Sequence, residues 1–262
     1  NIKIKTFWHG SHSQILDSYG WKRNQEIIEL HRKKIIDVMG SCKESLIHFY
    51  ENEGFTSKFL TNKVTTDVKP VSKNKKDNKI IIGLYAARCD DWRKNMYPQM
   101  AAVSLIENAV LDMTPLNTGA IEFAKTIGLE IQGEKNSMPR EELLKRMSKN
   151  TLNLYVTYSE CAPMLPLESF EMGVPCVSGI NNHYFKDSEL EDYIVVNNEE
   201  NPIEIKNKIM MSRLAPGANI GYRNYSGDAA ANNINLEKKN YRKSTYSYGT
   251  GKAETCLFGG TI

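Results

Sequence analysis

Nothing in these 262 residues approaches the ~20 consecutive apolar positions a membrane helix needs, and the opening Asn1-Ile-Lys-Ile-Lys5 lacks the apolar centre of a secretory leader. A soluble chain is expected. It does not begin with Met, which suggests a processed form or a fragment. An excess of charge of one sign is missing too: 34 Lys and Arg against 31 Asp and Glu leave a net charge of only +3. A nucleic-acid-binding domain usually carries a concentrated basic face, so no nucleic acid partner is expected. Cysteine is sparse. Cys42, Cys89, Cys161, Cys176 and Cys256 are an odd number with no CxxC and no Cys/His spacing, which disfavours a disulfide framework and a zinc site. A reducing cytoplasm fits best, with peripheral association at the inner face of the membrane compatible with it. There is no Gly-x-Ser-x-Gly elbow and no His-Glu-x-x-His pair, which leaves no case for a hydrolase triad or a zincin. Asp90-Asp91 is adjacent rather than alternating, so a DxD metal motif is absent. Gly249-Thr-Gly251-Lys252-Ala253 fails as a phosphate loop because Ala253 stands at the Ser/Thr position and Tyr246 at the first Gly.

What is there reads as globular, with 40% hydrophobic, 25% charged and 9% aromatic residues. At ~150 residues per domain the length suggests two modest domains. Ile2 to Phe7 reads as a strand that stops at His9-Gly10-Ser11. Trp21 to Arg32 places Ile27, Ile28 and Leu30 on a helical face, and a short apolar run follows from Ile35 to Met39. A helix from Glu44 to Asn52 ends at Gly54, where a left-handed cap needs glycine. Lys58 to Val64 is a third strand. Residues 1–64 therefore form a partial Rossmann-like unit, and the polar stretch 65–79 is an interdomain linker.

Ile80 to Tyr85 is a continuous apolar run, as expected of a central parallel strand covered on both faces. Helices follow at Asn95 to Glu107, Gly119 to Thr126, Leu165 to Met172 and Pro202 to Met211; Ser137 caps another, with Pro139 in its first turn and Leu143, Leu144 and Met147 inward. Strands are expected at Ala109 to Met113, Leu129 to Gln132, Leu152 to Tyr158, Pro175 to Ser178 and Tyr193 to Val196. This alternation over 80–211 predicts an α/β fold, a doubly wound Rossmann-like parallel sheet whose ligand binds at the carboxyl ends of the strands. From Ser212 the pattern breaks: five of thirteen Tyr and seven of seventeen Gly fall in 212–262, without sustained apolar periodicity. That stretch reads as an irregular extension, a tail for a protein partner, or foreign sequence.

The informative segment runs from Tyr158 through Glu160, Cys161-Ala-Pro-Met-Leu165 and Glu168 to Gly173-Val-Pro175. Two glutamates eight apart mean little alone, but here they lie in the order strand, loop, helix, Gly-x-Pro turn, strand. In this the sequence resembles the retaining GT-B glycosyltransferases that carry an E-x7-E signature, the GT4-like family. The resemblance is good over about 80–211 and looser over the first 64 residues. It implies two Rossmann-like domains, with a nucleotide-sugar donor held mainly by the second.

The same resemblance implies that Glu160 contacts the transferred sugar and Glu168 the ribose. Physical chemistry supports this: Cys161 to Leu165 leads into a helix N-terminus suited to a diphosphate, with Ala162, Pro163, Met164 and Leu165 as binding positions. A carboxylate on the helix can accept a pair of hydrogen bonds from the ribose diol. In the family a basic pair after the first strand of this domain neutralises the pyrophosphate. Arg88 matches the first member, while Arg93 and Lys94 compete for the second, because the insert Cys89-Asp-Asp-Trp92 departs from the commoner loop. His9, with His12 as a lesser candidate, resembles the N-domain His near the donor sugar, and His183 sits in a loop that could approach the same place. The expected activity is sugar transfer with retention from a nucleotide diphosphate sugar to a glycan or lipid-linked acceptor, without metal or cofactor. A GT-B nucleotide-sugar epimerase and a non-catalytic nucleotide-sugar-binding module are the alternatives. Family members usually carry a longer N-domain with a glycine-rich loop, so the acceptor half is expected to be incomplete here, and nucleotide binding to be easier to observe than transfer.

Overall fold

The computed structural model describes residues 4–11, 20–59, 64, 66–71, 79–85, 92–182, 184–185 and 188–214. They fall into two compact units: the described residues up to 62 together with Ser159–Ala162, and the remainder.

In the first unit β1 (Lys5–Trp8), α1 (Gly20–Arg32), β2 (Val38–Ser41), α2 (Glu44–Asn52) and β3 (Ser57–Phe59) alternate, and the strands form a parallel three-stranded sheet with β2 central. Trp8, Ile36, Met39, Leu46, Tyr50 and Phe55 make its core, with Ile27, Ile28 and Leu30 of α1 packed against them, as the helical periodicity requires. Gly54 takes φ +82°. Its N–H meets Glu51 O at 2.9 Å while Phe55 N–H meets Tyr50 O at 2.9 Å, the paired bonds of a Schellman cap. The run Ile35 to Met39 is extended only from Val38, because the turn after α1 puts Lys34 at φ 59° and sends Ile35 N–H back to Leu30 O. Of the rest of the third expected strand, Leu60 to Lys63 lie outside the described residues and Val64 is not in a strand.

The second unit holds β4 (Ile80–Tyr85), a 3-10 turn (Trp92–Lys94), α3 (Met96–Ser104), β5 (Ala109–Thr114), α4 (Thr118–Thr126), β6 (Glu130–Gln132), α5 (Arg140–Met147) and β7 (Leu152–Tyr155). It continues with α6 (Met164–Glu171), β8 (Cys176–Gly179), α7 (Glu191–Ile194), β9 (Val195–Val196) and α8 (Pro202–Ser212). All its strand pairs are parallel, in the order β6-β5-β4-β7-β8-β9. The doubly wound sheet is therefore present, and its order reverses between β4 and β7, where such sheets open a ligand crevice at their carboxyl edge. Ile82, Leu111, Leu152 and Leu154 are fully buried in its core, each stabilising the fold by about 2 kcal/mol.

Most element ends shift by a residue or more from expectation, and in four elements the contacts supply the reason. β7 ends at Tyr155 rather than Tyr158, because the N–H of Val156 is taken by the side chain of Gln99 at 2.9 Å. The helix expected from Asn95 starts at Met96, since Asn95 is left-handed at φ 51°, and it stops at Ser104. Ser137 is not the cap of α5: Pro139 holds that position with extended backbone, and its carbonyl accepts the first helical bond from Leu143 at 3.0 Å. Tyr193 and Ile194 belong to a helical turn closed by Leu190 O, and only Val195 and Val196 are strand.

Candidate functional site

The switch point is framed by the exits of β4 and β7. After β4, Arg88, Cys89, Asp90 and Asp91 lie outside the described residues, as do His12, His183, Cys256 and the Gly249 to Ala253 segment. The next described element, the 3-10 turn, is bolted to the exit of β7. Gln99, fully buried, donates through Nε2 to Lys94 O at 2.9 Å and Asn95 O at 3.0 Å while its Oε1 accepts from Val156 N. Tyr158 N donates to Arg93 O at 2.9 Å. Lys94 Nζ donates to Tyr155 Oη at 3.0 Å and sits 5.3 Å from the centre of that ring. Exposed Trp92 stacks on Tyr158 at 6.2 Å with an angle of 27° between planes. Both candidates for the second basic position, Arg93 and Lys94, thus belong to one rigid turn beside β7.

α6 begins at Met164 with Pro163 as N-cap and no side-chain cap on its backbone. The first-turn amides that include Met164 and Leu165, with the positive end of the helix dipole, can receive an anion. On the same helix Glu168 is only 7% exposed. Arg140, from the start of α5, donates through Nε to Glu168 Oε1 at 2.6 Å, its own side chain 48% exposed. Behind Glu168 runs a buried polar chain. Asn153 of β7 donates to Ser169 Oγ at 2.7 Å, and Ser169 donates to Val174 O at 2.8 Å. Asn150 donates to Asn153 Oδ1 at 2.8 Å and to Tyr85 Oη at 2.7 Å. Tyr85 donates to Asp112, which forms an ion pair with Arg146 at 2.6 Å. Burial and the Asp112 carboxylate push the Tyr85 phenol far up, so it stays a donor. α5 is therefore anchored through Arg140 to Glu168 and through Arg146 to Asp112.

In the first unit Glu160, 6% exposed, and Ala162 lie on the segment Ser159–Ala162. Lys43 Nζ donates to Glu160 O at 2.8 Å, and burial lowers the pKa of Lys43. Ser11 Oγ and Ser159 Oγ are 3.2 Å apart, and the Cys161 thiol donates to Gly10 O at 3.1 Å. The loop after β1 is thereby joined to the loop of Glu160. His9 stands exposed on it, edge-on to Phe7 at 5.4 Å. The structure thus gathers His9, Glu160 and Ala162 in one unit, and Arg93, Lys94, Pro163, Met164, Leu165 and Glu168 in the other.

Arg140, Gln99, Asn153 and Lys43 escaped the sequence reading. Gln99 alone carried a signal: it falls on the stripe Met96, Gln99, Met100, Val103 that α3 buries, where a polar residue must have partners. Among the described residues no group of three or more His, Cys, Asp and Glu is placed to hold a metal ion, and no helix is long and apolar enough to cross a membrane.

No protein-family model and no curated protein matches the chain. Solved structures do. A trehalose-6-phosphate synthase, OtsA, matches with TM-score 0.67 at 12% identity over 91% of this chain and 66% of its own. The fold is Rossmann-like, as in the GT-B glycosyltransferases. Sucrose-phosphate synthase from Thermosynechococcus elongatus matches with TM-score 0.58 at 12% identity over 91% of this chain and 69% of its own. WaaG, a glycosyltransferase involved in lipopolysaccharide biosynthesis, matches with TM-score 0.53 at 16% identity over 72% and 58% respectively. An alpha,alpha-trehalose-phosphate synthase from Burkholderia vietnamiensis is covered over 64% of its length, so the chain spans about two thirds of the length of these three synthases.

Proposed function

We propose that this chain takes part in transfer of a sugar from a nucleotide diphosphate sugar to a glycan or lipid-linked acceptor, with retention of anomeric configuration, as in polysaccharide biosynthesis. The observation that carries the reading is Glu168: a buried carboxylate on the helix that follows β7, at the carboxyl edge of a sheet whose order reverses beside that strand. A buried carboxylate at that edge is a natural acceptor for a ribose diol. The likeness in fold to sugar-transferring enzymes supports the same reading.

In this proposal the departing nucleoside diphosphate is stabilised electrostatically. Arg93 and Lys94 on the 3-10 turn, the N-terminal amides of α6 and, by the family resemblance, Arg88 supply positive potential where charge develops, a contribution worth about 3 kcal/mol per well-placed donor. Glu168 fixes the ribose, Glu160 orients the transferred sugar, and His9 lies near it. The loop Ala162 to Leu165 carries the diphosphate contacts. No metal is asked to neutralise the phosphates, so binding is expected to survive EDTA.

Isothermal titration with UDP and GDP tests the reading. Wild type should bind one of them, and Glu168→Ala should weaken it by about 10-fold, the loss of a charge-assisted hydrogen bond. The 2′-deoxy analogue should bind both proteins equally weakly. Identical affinities of wild type and Glu168→Ala for the ribonucleotide would remove the ribose assignment.

A further inference from the structure

Contacts within the first unit converge on the segment before α6: Ser11 on Ser159 at 3.2 Å, Lys43 on the Glu160 carbonyl at 2.8 Å, and Gly10 O on Cys161 at 3.1 Å. Between them lies a pair of thiols. Cys42 Sγ, just after β2, is 2.9 Å from Cys161 Sγ, a residue 119 positions further along the chain. Cys42 is completely buried and Cys161 is 3% exposed, and both are free thiols. A disulfide bond is ~2.05 Å long, so closing it moves each sulfur by about half an ångström. The flanking contacts already hold both chain segments in place. Cys176, the other buried thiol among the described residues, instead donates to the Val177 carbonyl at 3.8 Å. Among the described residues, Cys42 and Cys161 are the two cysteines whose sulfurs meet.

We propose that Cys42 and Cys161 are a reversible dithiol–disulfide pair that staples the Glu160 segment to the loop after β2. The oxidant is a small-molecule disulfide, R–S–S–R. One cysteine, as thiolate, attacks it and releases one R–S⁻; the second cysteine, as thiolate, displaces the other R–S⁻ from the mixed disulfide. Two cysteine S–H bonds and one R–S–S–R bond are lost, one Cys42–Cys161 S–S bond and two R–S–H bonds are formed, and two electrons pass to the small disulfide. The hydrogen bond with Cys161, and then burial, hold the Cys42 thiol protonated. Closure is accordingly slow at neutral pH and quickens as pH rises. Because the bond joins positions 119 apart, it removes much freedom from the unfolded chain and leaves the folded one nearly unmoved. None of this depends on glycosyl transfer, and the bond can be read without any nucleotide.

The test uses the whole chain, reduced and desalted, then incubated without denaturant with glutathione disulfide at about pH 8.5. Remaining thiols are alkylated in urea, and the digest is analysed by mass spectrometry without reduction. The expected result is a Cys42–Cys161 linked peptide, two hydrogens lighter than its two parts and released by dithiothreitol. With it the melting temperature should rise by roughly 5–10 °C. Cys42→Ser and Cys161→Ser should each lose the rise; if either fails to fold, the peptide map of the unaltered chain decides alone. Recovery of Cys42 and Cys161 as alkylated or singly glutathionylated residues, or linked to another cysteine, overturns the proposal. So does a linked peptide that leaves the melting temperature unchanged or lower, since the bond would then have closed in an opened state.

Discussion

Arg140 Nε donates to Oε1 of Glu168 at 2.6 Å, joining the first residue of α5 to a carboxylate that α6 keeps 7% exposed. The pair spans 28 positions in sequence and leaves the carboxylate oriented and charge-compensated by a guanidinium, which under the proposed function is the state a ribose would meet.

Arg140→Ala should therefore weaken nucleoside diphosphate binding by about 5-fold, through loss of orientation at Glu168. With 48% of the Arg140 side chain in solvent the stability loss should be near 1 kcal/mol or less. Calorimetric titration and a thermal melt of the same sample separate the two effects. A large drop in melting temperature with unchanged affinity would make Arg140 purely structural.

The Asp112–Arg146 pair should behave differently, because Asp112 is 2% exposed and its partner 24%. Asp112→Ala leaves the Arg146 guanidinium with the longer, 3.4 Å contact to exposed Glu134 and strips the buried Tyr85 phenol of its acceptor, and should destabilise the protein by about 3 kcal/mol, a fall in melting temperature of roughly 6–12 °C. Denaturant titration checks the free energy directly.

Gly83, in the middle of β4, has no room for a side chain: a Cβ there would lie 2.1 Å from Asn153 Oδ1 and 2.3 Å from Asn150 Nδ2. Gly83→Ala should destabilise by about 2 kcal/mol. Because the clash is with the amides that hold α6 through Ser169, adding Asn153→Ala to Gly83→Ala should lower stability less than Asn153→Ala does alone. A double-mutant cycle of urea midpoints measures that coupling.

Tyr50 is fully buried, donates to Asn24 Oδ1 at 2.7 Å, and has its phenol pushed up to about 12 from 10.0 by burial first and then by the nearby Cys161. The folded state binds this proton more tightly than the unfolded one, so its contribution is complete below pH 10 and is lost between pH 10 and 12. Tyr50→Phe should be less stable at pH 7 by about 1 kcal/mol, the value of one hydrogen bond, and should lose less stability than wild type between pH 10 and 11.5. Parallel slopes in urea midpoint against pH would rule the assignment out.

Alternation of strands and helices was legible because burial on one face leaves a period in the chain. Ile80 to Tyr85 reads as a central strand, and Ile27, Ile28 and Leu30 read as the inner face of α1. The helix end at Gly54 was legible because glycine takes φ near +80° without the strain a side chain would bring. The Glu160 and Glu168 pair stood out by its place between strand, loop and helix. Where expectation slipped, a partner from elsewhere in the chain had intervened: Val156 reads as strand until Gln99, 57 positions away, claims its N–H.

The sequence by itself determined the alternation of strands and helices over most of the chain and the inward faces of α1 and α5, since those are properties of neighbouring residues, but not the helical turn at Tyr193 and Ile194. Only the tertiary structure decided that β4 lies between β5 and β7, and with it which side chains meet. Arg140 with Glu168, Arg146 with Asp112, and Cys42 with Cys161 are 28, 34 and 119 positions apart. A hydrogen bond or a sulfur pair depends on distances of about 3 Å between atoms, and no local period carries that distance across so much intervening chain.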